Sequence, residues 1–257
     1  MVMRIVDMLT KTLVREGQWP YLRSITCLTS RFSGIDISVF ESVKNQRMLD
    51  FFCKGKTFFT TFPDELTITS HLGMEGNWSF EPDGKNAHFE IQLTFTLDAK
   101  EEPMKLYYNN QRFGSFEVLK TKVELDQALE KIAPGFIGRY IISVEEWLER
   151  MSRFTKRKSL MRLMMDQTEL CSGIGNFLIA ELFWYARLHP QVTVGRLTQD
   201  DRIMLYHICL KVIAGHYDGT LPKVIYMKEI SPEGHKIIQQ KFTDRTTHWV
   251  PEVQTII

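Results

Sequence analysis

The stretch Met164–Pro190, MMDQTELCSGIGNFLIAELFWYARLHP, decides how this chain is read. Leu160, Leu163 and Met164 share a face at helical spacing, which predicts a first helix from about Ser159 to Thr168. The chain then runs through Leu170-Cys171-Ser172-Gly173-Ile174-Gly175-Asn176, whose two glycines supply the left-handed backbone angles that end one helix and open another. A second helix follows through Phe177, Leu178, Ala180, Glu181, Phe183 and Trp184, until His189-Pro190 stops it. The head of such a helix leaves backbone N–H groups unpaired and convergent, which makes a seat for a phosphate. Asn176 adds a side-chain amide donor there.

Outward from this stretch, the composition is that of a globular protein. Of 257 residues, 44% are hydrophobic and 25% charged, enough for one large or two small cores. No apolar run reaches the roughly 20 residues of a membrane span. The opening MVMRIVDMLTKTLV is charged and amphipathic rather than a secretory signal, so an intracellular protein is expected. Cys27, Cys53, Cys171 and Cys209 are scattered without a CxxC pair, which points to reduced thiols and away from a cysteine zinc site. The net charge of +1 places any anion-binding footprint locally. Arg153, Lys156, Arg157, Lys158 and Arg162 offer one just before the central stretch; a solvated helix face is the other reading of that run.

Along the chain, Val2 to Val14 read as a helix with Ile5, Val6, Leu9 and Leu13 on one stripe. Strand patterns run from Ser24 to Leu97, with a hairpin turn at Pro63-Asp64-Glu65, alternation from His88 to Leu97, and a further strand from Met104 to Tyr108. The β-rich part ends near Leu119. Glu124 to Ile132 read as a helix, Ser143–Glu146 as a capping box, and Thr198–Asp201 as a second box with Asp in place of Glu. After Gly219 strands are expected at Lys223–Met227, Lys236–Gln240 and Thr246–Val250, with a turn at Thr243-Asp244.

The set Asp166-Gln167, Gly173-Ile174-Gly175-Asn176, Ala180-Glu181 and His189-Pro190 resembles the helix-two-turns-helix of the formamidopyrimidine-DNA glycosylase and endonuclease VIII family. The resemblance extends over nearly the whole chain. His71-Leu72-Gly73-Met74-Glu75-Gly76 is similar to the family's HLGMxG turn. There the histidine contacts a phosphate, and the methionine fills the space left by the extruded nucleotide; for Met74 alone, core packing is the plainer reading. Gln111-Arg112-Phe113-Gly114 is similar to the RRFG loop, whose arginine pairs with the orphaned base and whose phenylalanine wedges between base pairs. Asn109-Asn110-Gln111 departs from the family's Asp-Pro-Arg at this point. Lys56 matches the hairpin lysine that contacts phosphate and lesion; Lys54 is a rival for that place, and plain surface charge fits both. Tyr226 and Arg245 match phosphate-contacting positions of the C-terminal finger. The family's four zinc-binding cysteines are replaced by Ser231-Pro232-Glu233-Gly234-His235 and by Trp249-Val250, so a zincless finger folded on Ile225, Ile237, Phe242, Trp249 and Val250 is expected.

The resemblance implies an α+β fold: an N-terminal β-sandwich-like domain with a leading helix (1–120), a helical domain with the helix-two-turns-helix (121–220) and a β-hairpin finger (221–257). It implies excision of oxidised bases from DNA followed by lyase cleavage at the abasic site, in a groove between domains holding bent duplex. No cofactor and no metal are expected. The partner is double-stranded damaged DNA, with no membrane, and a monomer is expected in the nucleus or nucleoid. The family's nucleophile is an N-terminal proline in a Pro-Glu-x-Pro opening, which Met1-Val2-Met3-Arg4 does not supply. Two expectations stand: a start-site truncation of an active enzyme, or a non-catalytic protein that binds damaged DNA. Lys56 is the candidate backup amine.

Overall fold

The fold is described from a computed structural model, for residues 2–73, 75–98, 100–154, 156–242 and 245–255. The chain divides into two compact units, Met1–Glu130 and Lys131–Ile257.

The first unit opens with α1 (Val2–Leu13), which turns Val6, Leu9 and Leu13 inward as its stripe predicts. Two four-stranded antiparallel sheets follow. One has the order β1 (Tyr21–Cys27), β6 (Ala87–Thr94), β7 (Met104–Asn110), β5 (Gly76–Ser79). The other has the order β2 (Asp50–Lys54), β3 (Thr57–Thr61), β4 (Thr67–His71), β8 (Ser115–Leu119). The predicted hairpin at Pro63-Asp64-Glu65 joins β3 to β4, with Asp64 and Glu65 both at positive φ. The inner faces of both sheets share one core with α1: Phe51, Phe58, Ile68 and Phe116 from one, Trp78, Phe89, Ile91 and Tyr108 from the other. Phe89 and Phe116 stack across it at 3.7 Å. Trp78 satisfies its indole N–H on Ser70 Oγ (2.9 Å), so the largest ring in this core leaves no donor unpaired. α2 (Lys122–Glu130) completes the unit.

The second unit packs α3 (Val144–Ser152), α4 (Leu160–Met165), α5 (Asn176–Tyr185) and α6 (Gln199–Asp218) around Trp147, Leu160, Met164, Ile174, Leu182 and Leu205. Of the two predicted capping boxes, the one at α6 is complete, while at α3 the Ser143 half forms and the Glu146 carboxylate pairs with Arg150 instead. Ser143 accepts from Glu146 N–H, and Thr198 and Asp201 form the full reciprocal box that opens α6. Both helices of the central stretch are shorter than the apolar pattern suggests. α4 stops at Met165 because Asp166 turns extended and caps Thr168 and Glu169 instead. α5 stops at Tyr185, well before Pro190, where Arg187 swings to φ +57°.

β9 (Ile238–Phe242) and β10 (Arg245–Trp249) form the terminal hairpin. Its expected turn, Thr243-Asp244, lies outside the described residues. The expected strand at Lys223–Met227 is absent: that segment is a run of bends and turns, for a reason given below. Ile225, Ile237, Phe242, Trp249 and Val250 are all buried, the last two beside the turn closed by Gln254, whose side chain accepts from Val250 N–H and donates to Leu188 O. Among the described residues, no group of three or more His, Cys, Asp or Glu side chains is arranged to hold a metal, and no helix is long and apolar enough to cross a membrane.

Candidate nucleic-acid interface

In the first unit the residues singled out by sequence gather at one end of β4. β2 and β3 are joined by the two-residue turn Gly55-Lys56, with Gly55 at φ +60°, as a tight hairpin with glycine at its first position requires. Lys54, on the strand, donates to Leu129 O (2.9 Å) and is thereby tied to α2. Lys56 stands at the turn, next to Thr57, whose register partner is His71. Burial first, and then the charge of Lys56, push the His71 imidazole below its ordinary 6.5. His71 Nδ1 accepts the Gly73 N–H (3.0 Å), so the neutral ring carries its hydrogen on Nε2, a donor suited to a phosphate oxygen.

The turn after His71 and the loop 111–114 interlock. Gly73 sits at φ +61°, and a Cβ there would run into the Arg112 carbonyl and the backbone of Phe113 and Gly114. Only glycine allows that approach. Phe113 itself has φ +62° and is 72% exposed, an apolar ring held out in a backbone region that side-chain-bearing residues avoid. Arg112 beside it is exposed as well. Met74 lies outside the described residues.

Sequence reasoning saw Asn109 and Asn110 only as a departure from the family pattern. Both are buried. Asn110 Nδ2 donates to Leu72 O (2.5 Å), and its Oδ1 accepts from Gly114 N–H (3.1 Å) and from the Arg31 guanidinium (3.1 Å). One amide thus joins the two loops. Its backbone carbonyl accepts from His88 Nε2 (2.7 Å), whose Nδ1 faces Thr29 Oγ1 (2.7 Å). Tyr108 adds its hydroxyl to His71 O (2.8 Å) and Ser115 O (3.0 Å), and burial pushes that phenol well up. Asn109 Nδ2 donates to Asn77 Oδ1, Ser79 Oγ and Glu81 O, fixing the neighbouring strand end. Two adjacent amides at the end of a strand otherwise rich in Tyr and Leu were the available signal.

In the second unit α5 opens where the central stretch predicts, but only the first of its two glycines takes left-handed angles, since Gly175 is extended at φ −135°. Gly173 takes φ +90°, and Gln167 braces the turn by accepting Gly173 N–H (2.8 Å) and donating to Met165 O and Ile174 O. Gly175 is the N-cap and offers no side-chain cap, Asn176 is exposed, and the first turn of α5 holds no acidic residue. Its first N–H groups are therefore neither capped nor charge-neutralised, as an anion seat requires.

Glu181, five residues along α5 and fully buried, explains the missing strand. Its Oε1 accepts from Val224 (3.2 Å), Ile225 (3.0 Å) and Tyr226 (2.9 Å), and its Oε2 also accepts from Val224 (3.1 Å). N–H groups that a strand would give to a neighbour converge here on one carboxylate. The resulting turn buries Ile225 and leaves Tyr226 beside Phe177, the second residue of α5, at 6.0 Å between rings. Lys223 lies 4.6 Å from the Phe177 ring centroid, and His248 of β10 packs on Tyr226 at 5.0 Å. Tyr226 is thus brought beside the first turn of α5, against the residue that follows Asn176. Arg245 is exposed at the far end of β10 from Trp249. The basic run before α4 is partly spent, since Arg153 pairs with Glu149 and Lys158 with Glu169.

Comparison with known proteins agrees with this construction. Residues 22–116 match the family model of the formamidopyrimidine-DNA glycosylase N-terminal domain. The chain is 29% identical over 176 residues to formamidopyrimidine-DNA glycosylase of Ligilactobacillus salivarius, covering 68% of this chain and 61% of that protein. It is 28% identical over 172 residues to that of Lactobacillus johnsonii, covering 65% and 59%. The chain thus spans about three-fifths of the length of these relatives. In fold it is similar to the Lactococcus lactis enzyme in complex with DNA containing FAPY-dG (TM-score 0.80, 21% identity, 99% of this chain and 98% of that one). It is likewise similar to MutM in complex with DNA containing carbocyclic 8-oxo-G (TM-score 0.79, 20% identity, 98% and 99%). Residues 22–116 thus belong to the formamidopyrimidine-DNA glycosylase N-terminal domain family, and the two-sheet unit, the helical region and the terminal hairpin together follow the fold of these solved structures.

Proposed function

We propose that this protein acts on damaged duplex DNA in base-excision repair, the parent chemistry being removal of an oxidised base followed by cleavage at the abasic site. The observation that carries this reading is Phe113: an exposed aromatic ring at positive φ, on a loop pinned to the turn that follows His71. An apolar wedge offsets the stacking lost when a base leaves the duplex, and it must project from a stiff loop to do so. In this reading Arg112 meets the orphaned base, and His71, Asn176, Tyr226 and Arg245 hold phosphates. Lys56 lies near the reacting sugar, and Met74 fills the vacated space. The protein works where the cell keeps its DNA, nucleoid or nucleus, as a monomer.

The test is binding to two duplexes of one sequence, one carrying an abasic analogue, with fluorescence anisotropy as the readout. Tighter binding to the abasic duplex, reduced towards the undamaged value in Phe113→Ala, is expected. Equal affinity for both duplexes would sink the proposal. Borohydride trapping on a natural abasic duplex then reads the chemistry. A trapped adduct that disappears in Lys56→Ala would assign the attacking amine to Lys56.

A further inference from the structure

Phe113 presents a physical problem. Its backbone is strained, and its ring, being exposed, gains little packing in return. A four-residue loop in that state relaxes unless something outside it holds both of its ends.

Arg31 does this from 80 residues upstream. Nη1 of its guanidinium donates to Asn110 Oδ1 (3.1 Å) and Gln111 O (3.3 Å), and Nη2 donates to Gly114 O (3.4 Å). The two carbonyls flank Phe113, one on each side. Only a planar fork with several donors spans such a gap; an ammonium is a point. The fork stands on a rigid base. Its neighbour Phe32 packs against His88 (5.0 Å), Phe89 (5.6 Å) and Tyr108 (6.1 Å), and the guanidinium lies 5.0 Å from the Phe32 ring centroid. Arg31 therefore reaches from the sheet core to an exposed loop, and it is itself solvent-facing.

We propose that Arg31 is the positioning residue of the Phe113 wedge: its guanidinium clamps the loop 111–114 so that the ring is already placed before DNA arrives. The proposal rests on the DNA-damage reading above. Its effect is pre-organisation, because a loop ordered in advance does not spend binding energy on ordering. Arg31 touches neither lesion nor phosphate in this role. Removing it is expected to lower discrimination, not general affinity.

The experiment has two arms. In the free protein, amide exchange at Gly114, whose N–H is held by Asn110 Oδ1, is expected to quicken about tenfold in Arg31→Ala and in Arg31→Lys, while the thermal midpoint stays near that of the parent. Unchanged exchange at Gly114 overturns the clamp whether or not the protein binds DNA. In the second arm, the preference for an abasic-analogue duplex over an undamaged one is measured for Arg31→Ala, Phe113→Ala and the double variant. Unstacking is followed by 2-aminopurine placed beside the lesion. Arg31→Ala is expected to lose about three- to tenfold of the preference, as for one or two net hydrogen bonds. The double variant should lose no more than Phe113→Ala alone, since the clamp acts through the ring. Additive losses overturn the proposal. So does an equal loss on both duplexes with a shallower salt dependence, which would make Arg31 a phosphate contact. A parent protein without any preference would instead count against the DNA-damage reading, leaving the exchange arm to decide the clamp.

Discussion

The loop pair of the first unit and the helix head of the second present candidate DNA-contacting groups by opposite means. Around Phe113, many neutral or singly charged bonds are spread over Asn110, Arg31, Tyr108 and His88, and several of them are long. Around Tyr226, one buried carboxylate collects three backbone donors. A distributed network degrades gradually as members are removed, whereas a single buried charge with several dependants fails together. The difference follows from exposure. The loop can be partly resolvated when a bond is lost, but Ile225 and Glu181 are fully buried and water cannot replace what they lose.

The largest expected effect is therefore at Glu181. Glu181→Ala leaves the N–H groups of Val224, Ile225 and Tyr226 without their acceptor and opens a hole under α5. A loss of about 3–5 kcal/mol is expected by denaturant unfolding, with faster amide exchange concentrated at 224–226. Glu181→Gln is the sharper probe. One amide oxygen can still serve Ile225 and Tyr226, while the NH2 group meets the Val224 N–H, so a smaller cost of about 1–2 kcal/mol is expected. Near-neutral behaviour of Glu181→Ala would show that the segment is held by Ile225 packing alone and would dissolve the contrast.

Asn110→Ala comes next. It removes the bond to Leu72 O and the acceptor for Gly114 N–H and Arg31, at about 2–3 kcal/mol. Arg31 still reaches Gln111 O and Gly114 O in this variant, so the loop should loosen without being lost. Proteolysis or exchange confined to 110–114, with the rest of the first unit unchanged, is the expected outcome. Unfolding of the whole unit would mean that the network is as all-or-none as the carboxylate.

The same contrast governs what could be read in advance. The helix-two-turns-helix was legible because its determinants are local: Gly173 and Gly175 for the turns, Asn176 at the head, and Thr198 with Asp201 for the next cap. The leading helix and the hairpin at Pro63-Asp64-Glu65 were legible for the same reason. Lys223–Met227 misled because Val224-Ile225-Tyr226 has strong strand propensity, and the acceptor that overrides it lies 43–45 residues earlier. Asn110 was opaque because its partners Leu72 and Arg31 are 38 and 79 residues away. Amide networks carry no periodicity to read. The length of α5 was overread for a related reason: the apolar run continues to Leu188, but those later residues serve the finger, through Gln254 on the Leu188 carbonyl, rather than the helix.

The smallest expected effect is a pH response, and it separates the two regions by which imidazole carries it. His71 and His88 in the first unit, and His189 and His248 in the second, are all held below the ordinary 6.5, with burial the leading cause in each. For a depressed imidazole the unfolded chain binds the proton more readily, so the stabilisation is fully present above 6.5 and is lost as pH falls through the folded value. The depressed carboxylates, such as Glu90 and Glu101, start from 4.5 and act only in more acidic solution. Between pH 6.5 and 5 the loss is therefore expected to come from histidines. For His71 the cause is visible in the geometry, because a proton on Nδ1 would face the Gly73 N–H that Nδ1 now accepts. Lys56 adds its repulsion to the same ring. His71→Asn places an amide oxygen where Nδ1 was and removes the titration, so it should keep the turn while flattening part of the decline in thermal midpoint over that pH range. An equally steep decline in His71→Asn would shift the response to His88, whose Nε2–H bond to Asn110 O survives protonation and whose Nδ1 would then have to donate to Thr29.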